Sequence, residues 1–381
     1  MQTMQPTLRN GRNIWDRVNM PLKEIQGRID TLREKMTDHR IDALLAYGNA
    51  FNHYGNSCYL SNYMIRLPRG SLVALTSNDV ALFFEGASRG LPSAQKLTWV
   101  EDVRPCPDIS KACVSYLEEK SLAASRIGLA GLDEWMPHYQ RQFLSDALKE
   151  STFVDVQPLM CDMRIIKSEK ELDQVRRAAR IVKNVFEKLG SSTLADLRER
   201  VLEATIMKEA RLEGAGDVRV LFGRPHQENW ALHPAGDALL PAGESLIVYL
   251  ALVYERYWSE GVRTFTVEND GFKAPDLEGW QSFYSDLTDC LQPGKELSAC
   301  YHDILTTIKK QDAEFIATYG LGRGIGLSPE EGPFLNEEAA GSLAKGMCLT
   351  LHPCMQDPNL GAVMIGNTLM VSESGIEVLT G

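Results

Sequence analysis

The sequence predicts a two-domain chain of mixed helix and strand. Three observations carry this. A chain of 381 residues is long for one core and comfortable for two. Helical and strand-like patterns alternate through the first half, up to about Met160. A capping-box sequence then opens a long amphipathic helix, and a second set of elements follows it. The expected domains are therefore 1–160 and 161–381.

Residues 1–19 are polar and irregular, the pattern of an arm ordered only by docking. From Pro21 to His39 apolar residues recur at helical spacing (Ile25, Ile29, Leu32, Met36), and the run IDALLAY then reads as a buried strand. SLVALTSNDVALFFEG is a hairpin of two apolar strands joined across Ser77, Asn78 and Asp79. IGLAGLD gives another short strand, and Pro137 to Glu150 reads as helix.

In the second half, Ser168 and Glu171 form a Ser-x-x-Glu capping box, with Gly190 as a C-terminal stop. A further helix is expected from about Leu194 to Leu212. DVRVLFG reads as strand, RPHQENWALHPAGDALLPAGE as loop, and VYLALVYERYWSEGVRTFTV as two strands around a turn. Helices are expected near Asp276–Cys290 and Leu297–Gln311, and strands in MCLTLHPCM and AVMIGNTLMVSE. No internal repeat or low-complexity segment is evident.

The hydrophobic fraction of 44% and charged fraction of 24% are those of a soluble globular protein. A net charge of -11 argues against nucleic acid, which needs a basic face, and against an anionic membrane surface. There is no signal-peptide pattern and no run of 18 apolar residues, so a cytoplasmic protein with no membrane contact is expected. Eight scattered cysteines without a Cys-x-x-Cys pair read as reduced thiols, mostly buried, rather than zinc ligands.

The order of these pieces resembles the creatinase/prolidase/methionine-aminopeptidase superfamily, which has the α+β "pita-bread" fold. The matching landmarks are Lys167 to Leu172, the loop with His233, the Gly243-Glu244 strand start and Arg263-Thr264-Phe265. GLGRGIGLSPEEGP, KGMCLTLHP and SESGIEVLT follow in the same order. The resemblance implies a pita-bread C-terminal domain with a smaller α/β N-terminal domain of creatinase type.

The resemblance also places the metal ligands of the metal-dependent members. The two aspartates fall at Tyr249 and Glu260, the histidine at Arg323, and the two glutamates at His352 and Gly366, so none matches. A further histidine falls at Glu330, with only its neighbour Glu331 matching. A di-metal site needs several anionic oxygen ligands, and a guanidinium repels a cation. No metal and no cofactor are therefore expected.

One position of the superfamily pattern is kept: His233 stands, within a one-residue offset, where a histidine faces the substrate and moves protons. Imidazole suits that work near neutral pH, although a loop histidine can equally serve structure. Glu260, Glu330 and Glu331 are candidate catalytic carboxylates, and Arg323, His352 and Tyr249 candidate substrate contacts. The alternative for these charges is a salt-bridge network filling the vacated volume. Trp230, Tyr257 and Trp258 could pack or box a quaternary ammonium. The resemblance further implies a homodimer in which Arg69, just before a strand, reaches the partner's pocket. GLGRGIG is not a dinucleotide fingerprint, because a third glycine would be needed at Ile325.

The function these features suggest is a metal-independent creatinase-like enzyme. It would cleave a non-peptide C–N bond in a small zwitterionic guanidine or amidine, as hydrolase or lyase, with His233 as acid/base. The rivals are a pseudoenzyme that keeps the fold as a binding module, as histone-chaperone relatives do, a metal-dependent Xaa-Pro peptidase-like relative, and a single-metal site of Glu260, His352 and His233.

Overall fold

The structure is a computed structural model and describes residues 10–12, 14–51, 53–191, 197–273, 278–310 and 314–381. The chain divides into two compact units, Met1–Arg164 and Ile165–Gly381. Residues 1–9 and 13 of the expected N-terminal arm lie outside the described residues, as do the first residues of the helices expected from Leu194 and Asp276.

The first unit is a sheet with helices packed on it. Its strands are β1 (Ala43–Asn49), β2 (Gly70–Thr76), β3 (Val80–Glu85), β4 (Asp102–Cys106), β5 (Arg126–Ala130) and β6 (Thr152–Asp155). They lie in the order β4-β3-β2-β1-β5-β6. The hairpin of β2 and β3 is antiparallel, and Asp79 donates its backbone N–H to Thr76 Oγ1 to close the turn. IDALLAY forms the central β1, buried along nearly its whole length. The Ile109–Glu119 helix starts at Asp108, whose carboxylate accepts the N–H groups of Ser110 and Lys111. Its Tyr116 and Leu117 pack with Leu45, Phe83 and Leu144 in one core.

The second unit opens with the Glu169–Gly190 helix, whose capping box of Ser168 and Glu171 is complete. This helix and the Glu199–Leu212 helix pack on a sheet begun by β7 (Val218–Gly223), β8 (Ser245–Tyr254) and β9 (Tyr257–Val267). The β8–β9 pair turns at Glu255 and Arg256, both at positive φ. That fits a tight turn whose hand matches the strand twist. Then come β10 (Phe272–Lys273), β11 (Gly322–Gly324), β12 (Glu331–Phe334), β13 (Cys348–Leu351), β14 (Cys354–Asp357), β15 (Gly361–Met364), β16 (Gly366–Val371) and β17 (Ile376–Val378). Among the described residues the main sheet runs β12-β11-β13-β16-β9-β8-β7, with β10 beside β9 and β17 beside β16. The strands β14 and β15 form a separate ribbon.

Strand periodicity gives this sheet two faces. On β8, Leu246, Val248, Leu250 and Leu252 pack with Val182, Phe186, Leu202 and Ile206 on the helix side. Gly261 of β9 lets that helix sit close, since a Cβ there would lie 2.9 Å from the Phe186 ring. On the other face Ile247 and Tyr249 gather with Val262, Cys354, Ala362 and Met364.

The Val-Arg-Thr-Phe run is a structural pin. The Arg263 guanidinium donates to the carbonyls of Gly366 and Thr380 and to Asn367 Oδ1, tying β9 to β16 and to the chain end. All eight cysteines are free, six of them buried. No helix among the described residues is long and apolar enough to cross a membrane.

Candidate functional site

The site lies on the sheet face away from the helices. Tyr249 pairs with Val262 and Glu260 with Ala251, so the β8–β9 register turns both side chains to that face. The Tyr249 hydroxyl donates to Glu260 Oε2 at 2.8 Å. Arg323 of β11 donates from Nη2 to the same oxygen at 2.8 Å, and from Nε to the Pro329 carbonyl at 3.2 Å. His352, just after β13, brings Nδ1 to 3.4 Å from Glu260 Oε1, while its Nε2 lies 3.1 Å from the Tyr319 carbonyl. The 3.4 Å approach is not an aligned hydrogen bond, as neither atom has a hydrogen-bond partner.

Glu260 is only 2% exposed. Burial works against its charge, but Arg323 and His352, with the Tyr249 hydroxyl, outweigh it and hold the carboxyl below its ordinary value. Burial, and then the Glu260 charge, push the Tyr249 phenol well above its ordinary value. For Arg323, burial opposes the charge and Glu260 more than restores it.

These residues do not fit the dinuclear centre that the superfamily resemblance implies. A fixed guanidinium occupies one ligand position and is already paired to the surviving carboxylate. At another, Gly366 has no room for a side chain: a Cβ there would lie 2.8 Å from the His352 Cβ and 2.8 Å from Val262 Cγ2. Among the described residues no group of three or more His, Cys, Asp or Glu side chains is placed to hold a metal ion.

Beside the network is a cavity of about 310 Å³, walled by Arg219, Leu221, Leu232, Tyr249, Tyr319, Arg323, His352 and Met364. A neighbouring lobe of about 300 Å³ shares Tyr319, Arg323 and His352 and carries Glu330, Phe334 and Asn336. Of the residues singled out in the sequence, Tyr249, Glu260, Arg323 and His352 are thus brought together. Glu330 stands exposed at the rim of the second lobe.

The others lie elsewhere. His233 pairs with Phe222, so it faces the helix side with Phe222, and Leu232 takes the cavity side. The His233 Nε2 is 3.8 Å from Glu199 Oε1, and its Nδ1 lies 2.9 Å from the Pro234 carbonyl. The one-residue offset in the loop was therefore decisive, because one step along an extended chain swaps the faces. The single-metal grouping is not assembled, since His233 is across the sheet from Glu260 and His352. Glu331 is an intermediate-exposure partner of the buried Lys167 Nζ at 3.6 Å and accepts the Ser328 N–H at 2.8 Å. Arg69, in the first unit, donates to the Glu85 carbonyl at 3.4 Å. Among the described residues no aromatic box forms around Trp258: the face of its ring carries Arg219, 4.6 Å from the centroid. Tyr257 instead donates its hydroxyl to Glu171 at 2.9 Å.

Sequence reading missed Arg219, Leu232, Tyr319 and Glu199. The alternation in DVRVLFG was the available signal for Arg219: Val218, Val220 and Phe222 face the helices, so Arg219 and Leu221 face the cavity. Tyr319 and Glu199 had none.

Residues 173–373 match the profile described as metallopeptidase family M24, and residues 28–166 that of the creatinase/prolidase N-terminal domain. An uncharacterized peptidase of Staphylococcus aureus strain MRSA252 is 29% identical over 257 residues, which are 63% of this chain and 69% of the relative. The structure is similar to that of X-Pro aminopeptidase from Thermotoga maritima MSB8, at TM-score 0.77 and 20% identity, covering 93% of this chain and 97% of the other. Prolidase from Pyrococcus horikoshii OT3 gives TM-score 0.75 and 20% identity, covering 93% and 98%. The N-terminal domain of the FACT complex subunit SPT16 from chickpea gives 0.68 and 16%, covering 95% and 96%. These likenesses overturn the expectation of a creatinase-like hydrolase or lyase of non-peptide C–N bonds, since the similar proteins are described as peptidases and prolidases. They uphold the expected α+β pita-bread architecture with a creatinase-type N-terminal domain, and with more than half its length matched, the chain belongs to metallopeptidase family M24.

Proposed function

We propose that this chain is a binding module on the peptidase fold, holding a small peptide-like ligand in the cavity beside Tyr249, Arg323 and His352 without cleaving it. The observation that carries the reading is the 2.8 Å pair of Arg323 and Glu260 where the family's centre would need free ligands for cations. A site whose one central carboxylate is held by a guanidinium, a phenol and an imidazole has no group left to activate water through a metal. His233, turned to the other face, does not reach the cavity to act as base. The names Xaa-Pro dipeptidase and X-Pro aminopeptidase among the similar structures support a peptide as the ligand class. One similar fold is, by its description, part of a complex.

The reading keeps a cytoplasmic homodimer that needs no metal. Light scattering at micromolar concentration checks the dimer, and a monomer there would remove it. The direct test is hydrolysis of Xaa-Pro dipeptides with manganese, cobalt or zinc supplied. No release above the protein-free control is expected. Turnover that is lost to chelator and restored by metal would overturn the reading.

A further inference from the structure

The second lobe of the cavity carries a charge that the first does not. In the first, each guanidinium has its carboxylate: Arg219 lies 3.9 Å from Asp217 Oδ2, and Arg323 lies 2.8 Å from Glu260 Oε2. Glu330, at the rim of the second, brings a third carboxylate. It is exposed, and among the described residues no ion pair or hydrogen bond engages its side chain. Its charge acts on Arg323 more weakly than that of Glu260 does. The backbone around Glu330 is nonetheless fixed on both sides. The Pro329 carbonyl accepts Arg323 Nε at 3.2 Å, while Glu331 accepts the Ser328 N–H at 2.8 Å and lies 3.6 Å from Lys167 Nζ. Phe334, 46% exposed, lines the same lobe. The two lobes share Tyr319, Arg323 and His352, so one ligand can span them.

We infer that the second lobe is an ammonium site, in which Glu330 receives the charged amino group of a ligand whose apolar part lies against Leu232 and Met364 in the first lobe. The inference rests on the cavity being a binding site, as proposed above, and adds the charge and direction of what it takes. Of the two guanidiniums and three carboxylates, Glu330 is the group left without a partner, so a cation from the ligand completes the set. The Phe334 ring in the same lobe attracts a cation through its face. A concave wall excludes part of the water and strengthens the charge contact relative to one on an open surface. A free amino terminus meets these demands, and an acylated one does not.

The test is calorimetric titration of the full chain, without added metal, with L-leucyl-L-prolinamide and with N-acetyl-L-leucyl-L-prolinamide. At about pH 6.5 the free amino group of the first is protonated, and the second is neutral. The ammonium probe is expected to bind at least about five-fold tighter than the acetylated one, and more weakly as salt is raised. Glu330→Gln should lose most of that preference and leave the acetylated probe unchanged. Phe334→Leu, which keeps an apolar side chain and removes the ring, should lose about two- to five-fold for the ammonium probe alone. Glu330 is exposed, so its variant should melt near wild type, which a thermal melt checks. Equal binding of the two probes, or full ammonium preference in Glu330→Gln, would overturn the ammonium site and leave the binding module standing. Binding of neither probe would overturn both. Metal-dependent dipeptide hydrolysis accompanied by the ammonium preference would remove the binding-module reading alone.

Discussion

Arg323 Nη2 lies 2.8 Å from Glu260 Oε2, the oxygen that also accepts the Tyr249 hydroxyl. A guanidinium thus supplies in fixed form the positive charge that a bound cation would bring, and it cannot leave. Two consequences are measurable. Removing either partner strands a buried charge, so Arg323→Ala and Glu260→Ala should each lose about 3–5 kcal/mol in urea unfolding. The double variant Arg323→Met, Glu260→Gln should lose much less than the sum, because the two groups are coupled. Single variants within about 0.5 kcal/mol of wild type would show the pair to be dispensable.

The same contact sets a pH dependence. The folded-state carboxyl of Glu260 is held below its ordinary value of 4.5, so its contribution is full above that pH and is lost as pH falls through the folded-state value. Wild type should therefore lose stability on acidification more steeply than Glu260→Gln, in melts taken between about pH 6 and pH 3. Parallel curves for the two proteins would contradict the assignment.

Gly366 should resist any side chain. With His352 and Val262 each 2.8 Å from the added Cβ, Gly366→Ala should cost about 1–3 kcal/mol. Gly279 is the control: it is exposed on the Glu278–Asp289 helix with nothing within 4 Å, and Gly279→Ala should be neutral or stabilising by up to about 1 kcal/mol. Differential scanning of both variants checks the contrast.

The faces of Leu232 and His233 make opposite predictions for ligand binding. Leu232→Ala should weaken binding of an Xaa-Pro dipeptide, the ligand class proposed above, by about ten-fold, through roughly 1.4 kcal/mol of lost apolar contact. His233→Ala should leave it unchanged, since that ring lies with Glu199 on the helix side. The reverse ranking in titration calorimetry would place the histidine in the cavity.

Much of the architecture was legible because local rules and tertiary demands agree in it. The Ser168–Glu171 box, the β2–β3 hairpin and the alternation along β8 each satisfy backbone groups and bury one face together. The family landmarks placed Tyr249, Glu260, Arg323 and His352 in one site from sequence order alone. What escaped was register and loop geometry. Counting through a long loop left the offset at His233 unresolved, and its reversal exchanged Leu232 for the histidine. Pro353 ends β13 and separates it from β14, so MCLTLHPCM is two strands in different sheets and not one. The Glu199 carboxylate, which accepts the Gly236 N–H at 2.9 Å, gives no sign of that partner in a charged helical stretch.

The metal content of the full chain tests the central claim most directly. The protein is equilibrated with excess manganese, cobalt or zinc, freed of unbound ion by gel filtration, and its metal measured by plasma mass spectrometry. With Arg323 paired to Glu260 and no side-chain ligand at Gly366, well under one ion per chain is expected for each metal. Close to two ions per chain, released by chelator and taken up again, would contradict it.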